Sequence, residues 1–205
     1  MTEAADTKKN KTLTDRMRVI FKGVLDPIGA FLNKLGLTPN TMTILGLIGN
    51  IIGAYFLARG DMLIGGILIL LMGPVDALDG TMARLRGQTT QFGAFVDSVS
   101  DRYSELVIFL GLLVFYLQRQ DWVTAVVVYL AAAGSVLVSY VRARGQSLGY
   151  DTKVGILTRA ERYMVLGPAL ILNLPWLAAW IIAILANLTA FQRILDVRRQ
   201  AYKEK

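Results

Sequence analysis

The sequence contains no cysteine and no histidine among its 205 residues. The absence of cysteine excludes disulfides, thiolate nucleophiles and cysteine-bound zinc. The absence of histidine removes the usual general base and the most common ligand of transition metals. Proton transfer therefore falls to a carboxylate, a lysine, a tyrosine or a metal-bound water, and any metal must accept oxygen ligands. Magnesium or manganese is the favoured metal.

Long apolar runs dominate what is present, since hydrophobic residues make up 54% of the chain. We predict an all-α, polytopic membrane protein with six membrane-spanning helices, because each run approaches the ~20 residues that a spanning helix needs. The first run follows the helix-start signal Leu37-Thr38-Pro39-Asn40 and reaches Ala58. The others cover residues 61–84, 92–118, 121–144, 160–175 and 177–196, with Pro168 and Pro175 interrupting the last two.

The chain divides into four parts. Residues 1–12 are polar and predict a disordered cytoplasmic tail, whereas residues 13–36 carry apolar side chains at helical spacing with charges between them. This second segment predicts an amphipathic helix bent at Asp26-Pro27, lying in the membrane interface or, alternatively, packed on the bundle as a soluble helix would be. Residues 37–198 form the predicted six-helix transmembrane catalytic domain, and 199–205 a basic cytoplasmic tail.

The basic residues are distributed unequally across the predicted membrane. With six spans, both termini share one side, and that side receives all 22 Lys and Arg residues except Arg59, Arg102 and Arg119. Because loops rich in Lys and Arg stay in the cytoplasm, both termini are predicted to be cytoplasmic in a multi-pass cell-membrane protein.

Two carboxylate pairs lie at the predicted cytoplasmic ends of the second and third spans. Asp76 and Asp79 are three residues apart and Asp97 and Asp101 are four apart, so each pair shares one helix face. The turn at residues 86–89 folds the two helices back on each other and can bring the pairs together. A single acid here is equally consistent with an interfacial ion pair to Arg84 or Arg102. Four acids together favour two divalent cations, which would relieve the repulsion and provide a tool for phosphoryl chemistry.

The same segment resembles the signature of the CDP-alcohol phosphotransferases. It fits Asp-x2-Asp-Gly-x2-Ala-Arg-x8-Gly-x3-Asp-x3-Asp at every fixed position, from Asp76 to Asp101. The resemblance implies a membrane enzyme, usually a homodimer, that transfers a phosphatidyl group from CDP-diacylglycerol to an alcohol and releases CMP. It implies two Mg²⁺ or Mn²⁺ ions per site, one bound by Asp76, Asp79 and Asp97 and the other by Asp76, Asp97 and Asp101.

Further roles follow from the resemblance. Asp101 is expected to be the general base that deprotonates the acceptor hydroxyl, which is consistent with the absence of histidine. The residues expected to contact the CDP moiety lie at the start of the first span and around the second, and they are Asn40, Thr41, Met42, Thr43, Gly80, Ala83, Arg84 and Thr90. Arg84 has an independent physical argument, because a guanidinium suits phosphate oxygens, although an arginine at a membrane edge also reaches toward lipid headgroups.

The acceptor is predicted from basic residues of the second half. Four arginines at cytoplasmic span ends are candidates for an acceptor-phosphate pocket, namely Arg142, Arg159, Arg162 and Arg193. The blocks that contain them, with Thr38-Pro39-Asn40, resemble phosphatidylinositol phosphate synthases from about residue 25 onward, which implies an inositol phosphate acceptor. Arg142 stands where that group more often has lysine, and the proline typical between the two arginines of the third block is absent.

Other functions remain open at this stage. A glycerol-phosphate acceptor is disfavoured because Asp97-Ser-Val-Ser-Asp101-Arg102 lacks the proline and lysine common in phosphatidylglycerophosphate synthases, and an archaeal ether-lipid enzyme is a further alternative. A divalent-cation transporter would also use intramembrane acids, but it leaves Gly80, Ala83 and Arg84 unexplained. The intact set of acids argues against a catalytically silent scaffold.

Overall fold

A computed structural model describes residues 13–87 and 89–203, with side chains from residue 23 onward. The predicted tail at 1–12, Gln88 of the predicted turn and the last two residues lie outside the described residues. The described part of the chain is all-helical, with seven helices: α1 Leu13–Lys34, α2 Pro39–Arg59, α3 Met62–Leu85, α4 Gln91–Gln118, α5 Trp122–Ser147, α6 Arg159–Ile171 and α7 Pro175–Lys203.

Four of the described helices, α2, α3, α5 and α7, are long and apolar enough to cross a membrane. The other two predicted spans differ in informative ways. The α4 helix matches the predicted range but concentrates its charged residues in its first half. The α6 helix has only 13 residues because it ends at Ile171, before Pro175 begins α7. The α7 helix continues to Lys203, beyond the predicted end of its span and through most of the predicted basic tail.

Glycines bring the helices close together. The α2 helix packs on both α3 and α4, and an added Cβ at Gly65 would lie 2.9 Å from the Gly53 carbonyl oxygen. At Gly111 of α4 the added atom would press on the Ala54 backbone of α2, and at Gly134 of α5 it would meet Asn187 of α7. Small residues at such crossings allow van der Waals contact between backbones, which is the main source of helix association in lipid.

Threonine caps position the two helices that begin nearest the carboxylates. Thr38 accepts a hydrogen bond from the Thr41 amide at 3.3 Å, and Pro39 occupies the first turn of α2, as the start signal predicted. Thr90 accepts from the Gly93 amide at 3.0 Å and starts α4. The predicted CDP contacts at residues 40–43 and at Thr90 therefore lie at capped helix starts, whereas the others lie near the end of α3.

The N-terminal helix α1 is held to the end of α3. Arg86 donates to Asn33 Oδ1 at 2.6 Å and to the Leu37 carbonyl at 2.5 Å, while the Asn33 amide donates to the Met82 carbonyl at 3.2 Å. Pro27 lies inside α1, near the middle of the helix. Apolar side chains remain exposed along the described part of this helix, among them Val24, Ile28 and Phe31.

The segment between α5 and α6 is attached to α7. The amides of Ile156 and Leu157 donate to Thr189 Oγ1 at 3.2 and 3.1 Å, and Arg193 Nε donates to the Val154 carbonyl at 2.9 Å. Earlier in this segment, the Lys153 ammonium donates to Asp151 and holds the pKa of that carboxyl below its usual value. These bonds fix the approach to α6 and therefore the position of Arg159, its first residue.

Candidate active site

The predicted carboxylates come from two helices that α2 separates. Asp76 and Asp79 lie on α3, and Asp97 and Asp101 lie on α4. The α3 and α4 helices share little direct backbone contact, since each packs mainly on α2. Asp97 is nevertheless close enough to interact electrostatically with the three other carboxylates. The sequence prediction that the two pairs converge is therefore confirmed, although α3 and α4 each pack mainly on α2 and not on each other.

The two acids of α3 face different partners. Asp79 is buried, and its Oδ2 lies 2.7 Å from the Thr43 hydroxyl, which donates to it from α2. The Gly80 amide donates to the other oxygen of the same carboxylate. Asp76, one turn earlier, instead accepts a hydrogen bond from Arg159 Nη2 at 2.9 Å. The cluster thus has one side toward α2 and another toward α6.

Arg159 bridges two of the acids. Its Nη2 lies 2.9 Å from Asp76 Oδ2 and its Nη1 lies 2.5 Å from Asp101 Oδ1, so one guanidinium joins α3, α4 and α6. Arg102 adds a longer contact of 3.4 Å to Asp101, whereas Arg84 donates to Thr81 Oγ1. The ion pair to Arg102 that the sequence left open is therefore present, but Arg159 is the closer partner.

The residues predicted for the CDP moiety surround the α2 side of this cluster. Thr43 bonds Asp79 directly, and Asn40 lies beside Gly93, where an added Cβ would be 3.9 Å from its Oδ1. Gly80 follows Asp79 and lies beside the exposed Arg84. The structure therefore brings the start of α2, the end of α3 and the start of α4 to one side of the carboxylates.

Gly46, a residue that the sequence did not single out, allows α2 to approach Asp76. An added Cβ at Gly46 would collide with Asp76 Oδ1. We expect Gly46→Ala to displace this carboxylate and lower turnover about 10- to 100-fold, even though alanine favours a helix by about 1 kcal/mol over glycine. Gly73→Ala is the matched control, since nothing lies within 4 Å of an added Cβ at Gly73. Equal turnover in both variants, measured in detergent micelles, would argue against a role for Asp76.

The donor set suits a hard divalent cation. All four side chains are carboxylates, and oxygen ligands are what Mg²⁺ and Mn²⁺ prefer. No three such groups form a ready-made metal cage within residues 13–87 and 89–203. Instead, the Arg159 guanidinium provides positive charge between Asp76 and Asp101. The ligand chemistry therefore fits a metal. The Arg159 guanidinium shows that positive charge is accommodated between Asp76 and Asp101.

The four predicted acceptor arginines differ in their surroundings. Arg142 is exposed, and Arg159 binds the acids. Arg193 is 3% exposed and donates to the carbonyls of Val154 and Val138 at 2.9 and 2.7 Å. Arg193 also lies within electrostatic range of Arg142 and Arg162. Three guanidinium groups therefore stand near one another, which favours an anion beside them.

Arg162 has a partner that the sequence analysis did not identify. Its Nε and Nη2 donate to the two oxygens of Glu105 at 2.5 and 3.0 Å, and its Nη1 donates to the Leu157 carbonyl at 3.3 Å. Both side chains of the pair are almost fully buried, at 2% and 4% exposure. Arg162, which was predicted to bind the acceptor phosphate, therefore forms an internal ion pair in this structure.

The two ion pairs between α4 and α6 form a ladder. Asp101 and Glu105 are one turn apart on α4, and Arg159 and Arg162 are nearly one turn apart on α6. The outer rung, Asp101–Arg159, is partly exposed, whereas the inner rung is closed to solvent. The four-residue spacing between Asp101 and Glu105 was the one sequence signal that could have revealed the buried Glu105–Arg162 ion pair.

Comparison with known proteins identifies the family. A family model described as CDP-alcohol phosphatidyltransferase matches residues 36–192, which include all four aspartates and three of the four predicted acceptor arginines, since Arg193 directly follows the match. The chain belongs to the CDP-alcohol phosphatidyltransferase family. It is therefore a membrane phosphatidyltransferase, in agreement with the motif.

Several family members resemble this phosphatidyltransferase over most of its length. The phosphatidylinositol phosphate synthase of Streptomyces avermitilis is 38% identical, and the match covers 97% of this chain and 87% of that protein. The archaetidylinositol phosphate synthase of Pyrococcus horikoshii is 33% identical, with coverage of 92% and 98%.

Solved structures of the Mycobacterium tuberculosis phosphatidylinositol phosphate synthase share the fold at 29% identity. The structure with CDP-DAG bound has a TM-score of 0.80 and covers 85% of this chain and 93% of that one. The structure in complex with manganese and citrate has a TM-score of 0.81, with coverage of 84% and 88%.

Proposed function

We propose that this CDP-alcohol phosphatidyltransferase transfers the phosphatidyl group of CDP-diacylglycerol to 1D-myo-inositol 3-phosphate, also written L-myo-inositol 1-phosphate. The products are phosphatidylinositol phosphate and CMP. The observation that carries the proposal is the two-sided carboxylate cluster, with Thr43 and the predicted nucleotide contacts on one side and Arg159 of α6 on the other. Such an arrangement suits one anionic substrate on each side.

The reaction is a displacement at the β-phosphorus of CDP-diacylglycerol. The hydroxyl oxygen of the acceptor forms a bond to that phosphorus. The bond between the β-phosphorus and the bridging oxygen breaks, and CMP leaves carrying the bridging oxygen. Asp101 takes the hydroxyl proton, because it lies on the α6 side of the cluster and no histidine is present to do so. The Thr43 hydroxyl keeps Asp79 oriented toward α2.

Two Mg²⁺ or Mn²⁺ ions are the proposed cofactors. Asp76, Asp79 and Asp97 would hold one, and Asp76, Asp97 and Asp101 the other. When bound, such cations neutralise charge on a pyrophosphate and stabilise its leaving oxygen. Arg159 would give up its ion pairs to the acids and become available for an anion.

Substrate contacts divide between the two sides. The nucleotide would lie against the start of α2 and the turn between α3 and α4, where the proposed contacts are Asn40, Thr41, Met42, Thr43, Gly80, Ala83, Arg84 and Thr90. The acceptor phosphate would be bound by Arg159 on α6 and by Arg142 and Arg193, which lie near each other. The contacts of Arg162 with Glu105 favour a structural role for that residue.

The proposed enzyme crosses the cell membrane six times, through α2 to α7, with α1 in the interface. Residues 37–198 would form the catalytic domain, flanked by a cytoplasmic tail at each end. Exposed Val24, Ile28 and Phe31 support the interfacial placement of α1, because water would not stabilise such a face. The charge distribution supports cytoplasmic termini and a cytoplasmic active site. A homodimer is proposed from the family resemblance.

The acceptor can be tested by measuring CMP release from CDP-diacylglycerol with four acceptors in parallel: L-myo-inositol 1-phosphate, glycerol 3-phosphate, serine and inositol. We expect turnover with the inositol phosphate at least about tenfold above that with serine or free inositol, because these two lack a phosphate for the arginines. Glycerol 3-phosphate carries a phosphate as well, so its turnover relative to the inositol phosphate tests the choice of polyol. A chelator should abolish turnover and Mn²⁺ or Mg²⁺ should restore it. Preference for glycerol 3-phosphate, serine or free inositol would refute the proposed acceptor.

A second candidate uses the same acceptor with an ether-linked lipid. The Pyrococcus relative, whose length the match covers almost completely, carries the name archaetidylinositol phosphate synthase. The same assay with a CDP-activated diether lipid separates the two donors. A cation transporter is disfavoured, because the chain belongs to the CDP-alcohol phosphatidyltransferase family.

A further inference from the structure

Tyr163 lies beside the acid cluster, and its hydroxyl contributes no internal hydrogen bond of good geometry to the described part of the fold. The residue lies one turn after Arg159 on α6, so the two side chains share a helix face. Its hydroxyl oxygen is buried close to the Arg159 guanidinium, but it forms no hydrogen bond of good geometry with Arg159 or with any other described residue. Tyrosine hydroxyls normally find a partner when they are buried.

An unpaired buried hydroxyl is unfavourable for folding. A buried polar group without a partner weakens the folded state, and phenylalanine would fill the same space without that cost. The ring alone can pack against the core, as Tyr163 does here. The hydroxyl is therefore available to bind a ligand that enters the site.

A second unpaired donor accompanies it. Arg159 Nε is also buried without a partner among the described residues, and the guanidinium carbon lies 5.3 Å from the centre of the Tyr163 ring. Asp76 and Glu105 are close enough to act on the hydroxyl electrostatically. Two unsatisfied donors on one helix face suit an oxygen atom of an anion, provided that cations neutralise the nearby carboxylates.

The position of Tyr163 indicates which of the two anionic substrates it would bind. The proposed nucleotide contacts lie on α2, at the end of α3 and at the start of α4, whereas Tyr163 and Arg159 belong to α6. Asp101, which is the proposed base for the acceptor hydroxyl, is the acid that Arg159 approaches most closely. An anion that meets α6 beside Asp101 is therefore part of the acceptor and not of the nucleotide.

We infer that Tyr163, together with Arg159, binds a phosphate oxygen of the acceptor and helps to select a phosphorylated alcohol. This inference rests on the proposed function and adds a residue to it. In the ligand-free arrangement Arg159 lies against the ring and pairs with the acids. When the acids receive cations, Arg159 and the Tyr163 hydroxyl face the same incoming phosphate.

The test is Tyr163→Phe, which removes only the hydroxyl. We expect the KM for L-myo-inositol 1-phosphate to rise about 10- to 100-fold, as for the loss of a hydrogen bond to a charged group. We expect kcat and the KM for CDP-diacylglycerol to change less than about twofold. The midpoint of thermal unfolding should stay the same or rise, because no internal hydrogen bond is lost.

Tyr116→Phe is the matched control. Tyr116 is a buried tyrosine in the last turn of α4, at the opposite end of that helix from Asp97 and Asp101. Its variant should leave both KM values unchanged. Tyr163→Leu provides a further comparison, since it removes the ring and should lower the unfolding midpoint as well.

Each outcome decides the question. An unchanged acceptor KM in Tyr163→Phe, or an increase confined to CDP-diacylglycerol, overturns the inference. A lower unfolding midpoint overturns it too, since the hydroxyl would then have a partner within the protein. If the wild-type enzyme releases no CMP with the inositol phosphate, the proposed function fails instead, which separates the two claims.

Discussion

Asp101→Asn should reduce CMP release at least about a hundredfold and up to about ten-thousandfold, while leaving the protein folded. The size follows from the contribution of a positioned general base, and a carboxamide cannot accept the proton of the acceptor hydroxyl. Asparagine has nearly the same shape, and Asp101 lies in a partly open cluster, so the unfolding temperature should change little. Both quantities are measured on the same purified preparation, by CMP release and by tryptophan fluorescence on heating.

Asp121→Asn is the matched control for this change. Asp121 caps α5 and accepts a hydrogen bond from the Thr124 amide at 3.1 Å, at the end of the bundle away from the acid cluster. Asparagine caps helices about as well as aspartate, so activity and stability should both be preserved. Retention of wild-type turnover by Asp101→Asn would rule out Asp101 as the base.

Glu105→Met should destabilise the protein by about 3 to 5 kcal/mol, the usual cost of leaving a buried charge without its partner. Arg162 would keep its charge but lose the two hydrogen bonds that it donates to Glu105 in a region closed to solvent. Arg162→Met should be destabilising for the same reason, because it leaves Glu105 alone. The free energy of unfolding in detergent, measured by denaturant titration, gives both values.

The double variant Glu105→Met with Arg162→Met separates packing from charge. It should recover stability to within about 1 kcal/mol of the wild type, because apolar residues of similar volume often replace a buried ion pair at no net cost. One other result would support the predicted role of Arg162 in binding the acceptor phosphate. If Arg162→Met raises the acceptor KM without loss of stability, Arg162 binds substrate and the ion pair is dispensable.

The sequence predicted the acids well because their spacing is local. Helical spacing places Asp76 with Asp79 and Asp97 with Asp101 whatever the surrounding fold, so only their convergence depended on tertiary structure. The start of α2 was equally predictable, since Thr38 and Pro39 act within one turn.

The contacts of the arginines were less predictable, because the charge of a residue does not indicate how deeply its side chain is buried. Arg159 and Arg162 are three residues apart and equally basic, yet one binds the partly exposed acids and the other is buried against Glu105. Which face of α6 meets α4 depends on packing among α3, α6 and α7, which no local pattern reports. The short length of α6 was also hidden, because the apolar run continues across Leu172 and Leu174 after the helix ends.

The unequal lengths of the last two helices bear on how a lipid reaction meets soluble reagents. At a rise of 1.5 Å per residue, α6 is about 20 Å long, whereas the hydrocarbon layer is about 30 Å thick. The carboxylates share the level of Arg159 at the start of α6, and α7 continues ten residues past Arg193, or about 15 Å. In the proposed reaction, the phosphorus would therefore remain at headgroup depth, where the acceptor can reach it from water. No lipid would have to be lifted out of the bilayer for its head to be exchanged.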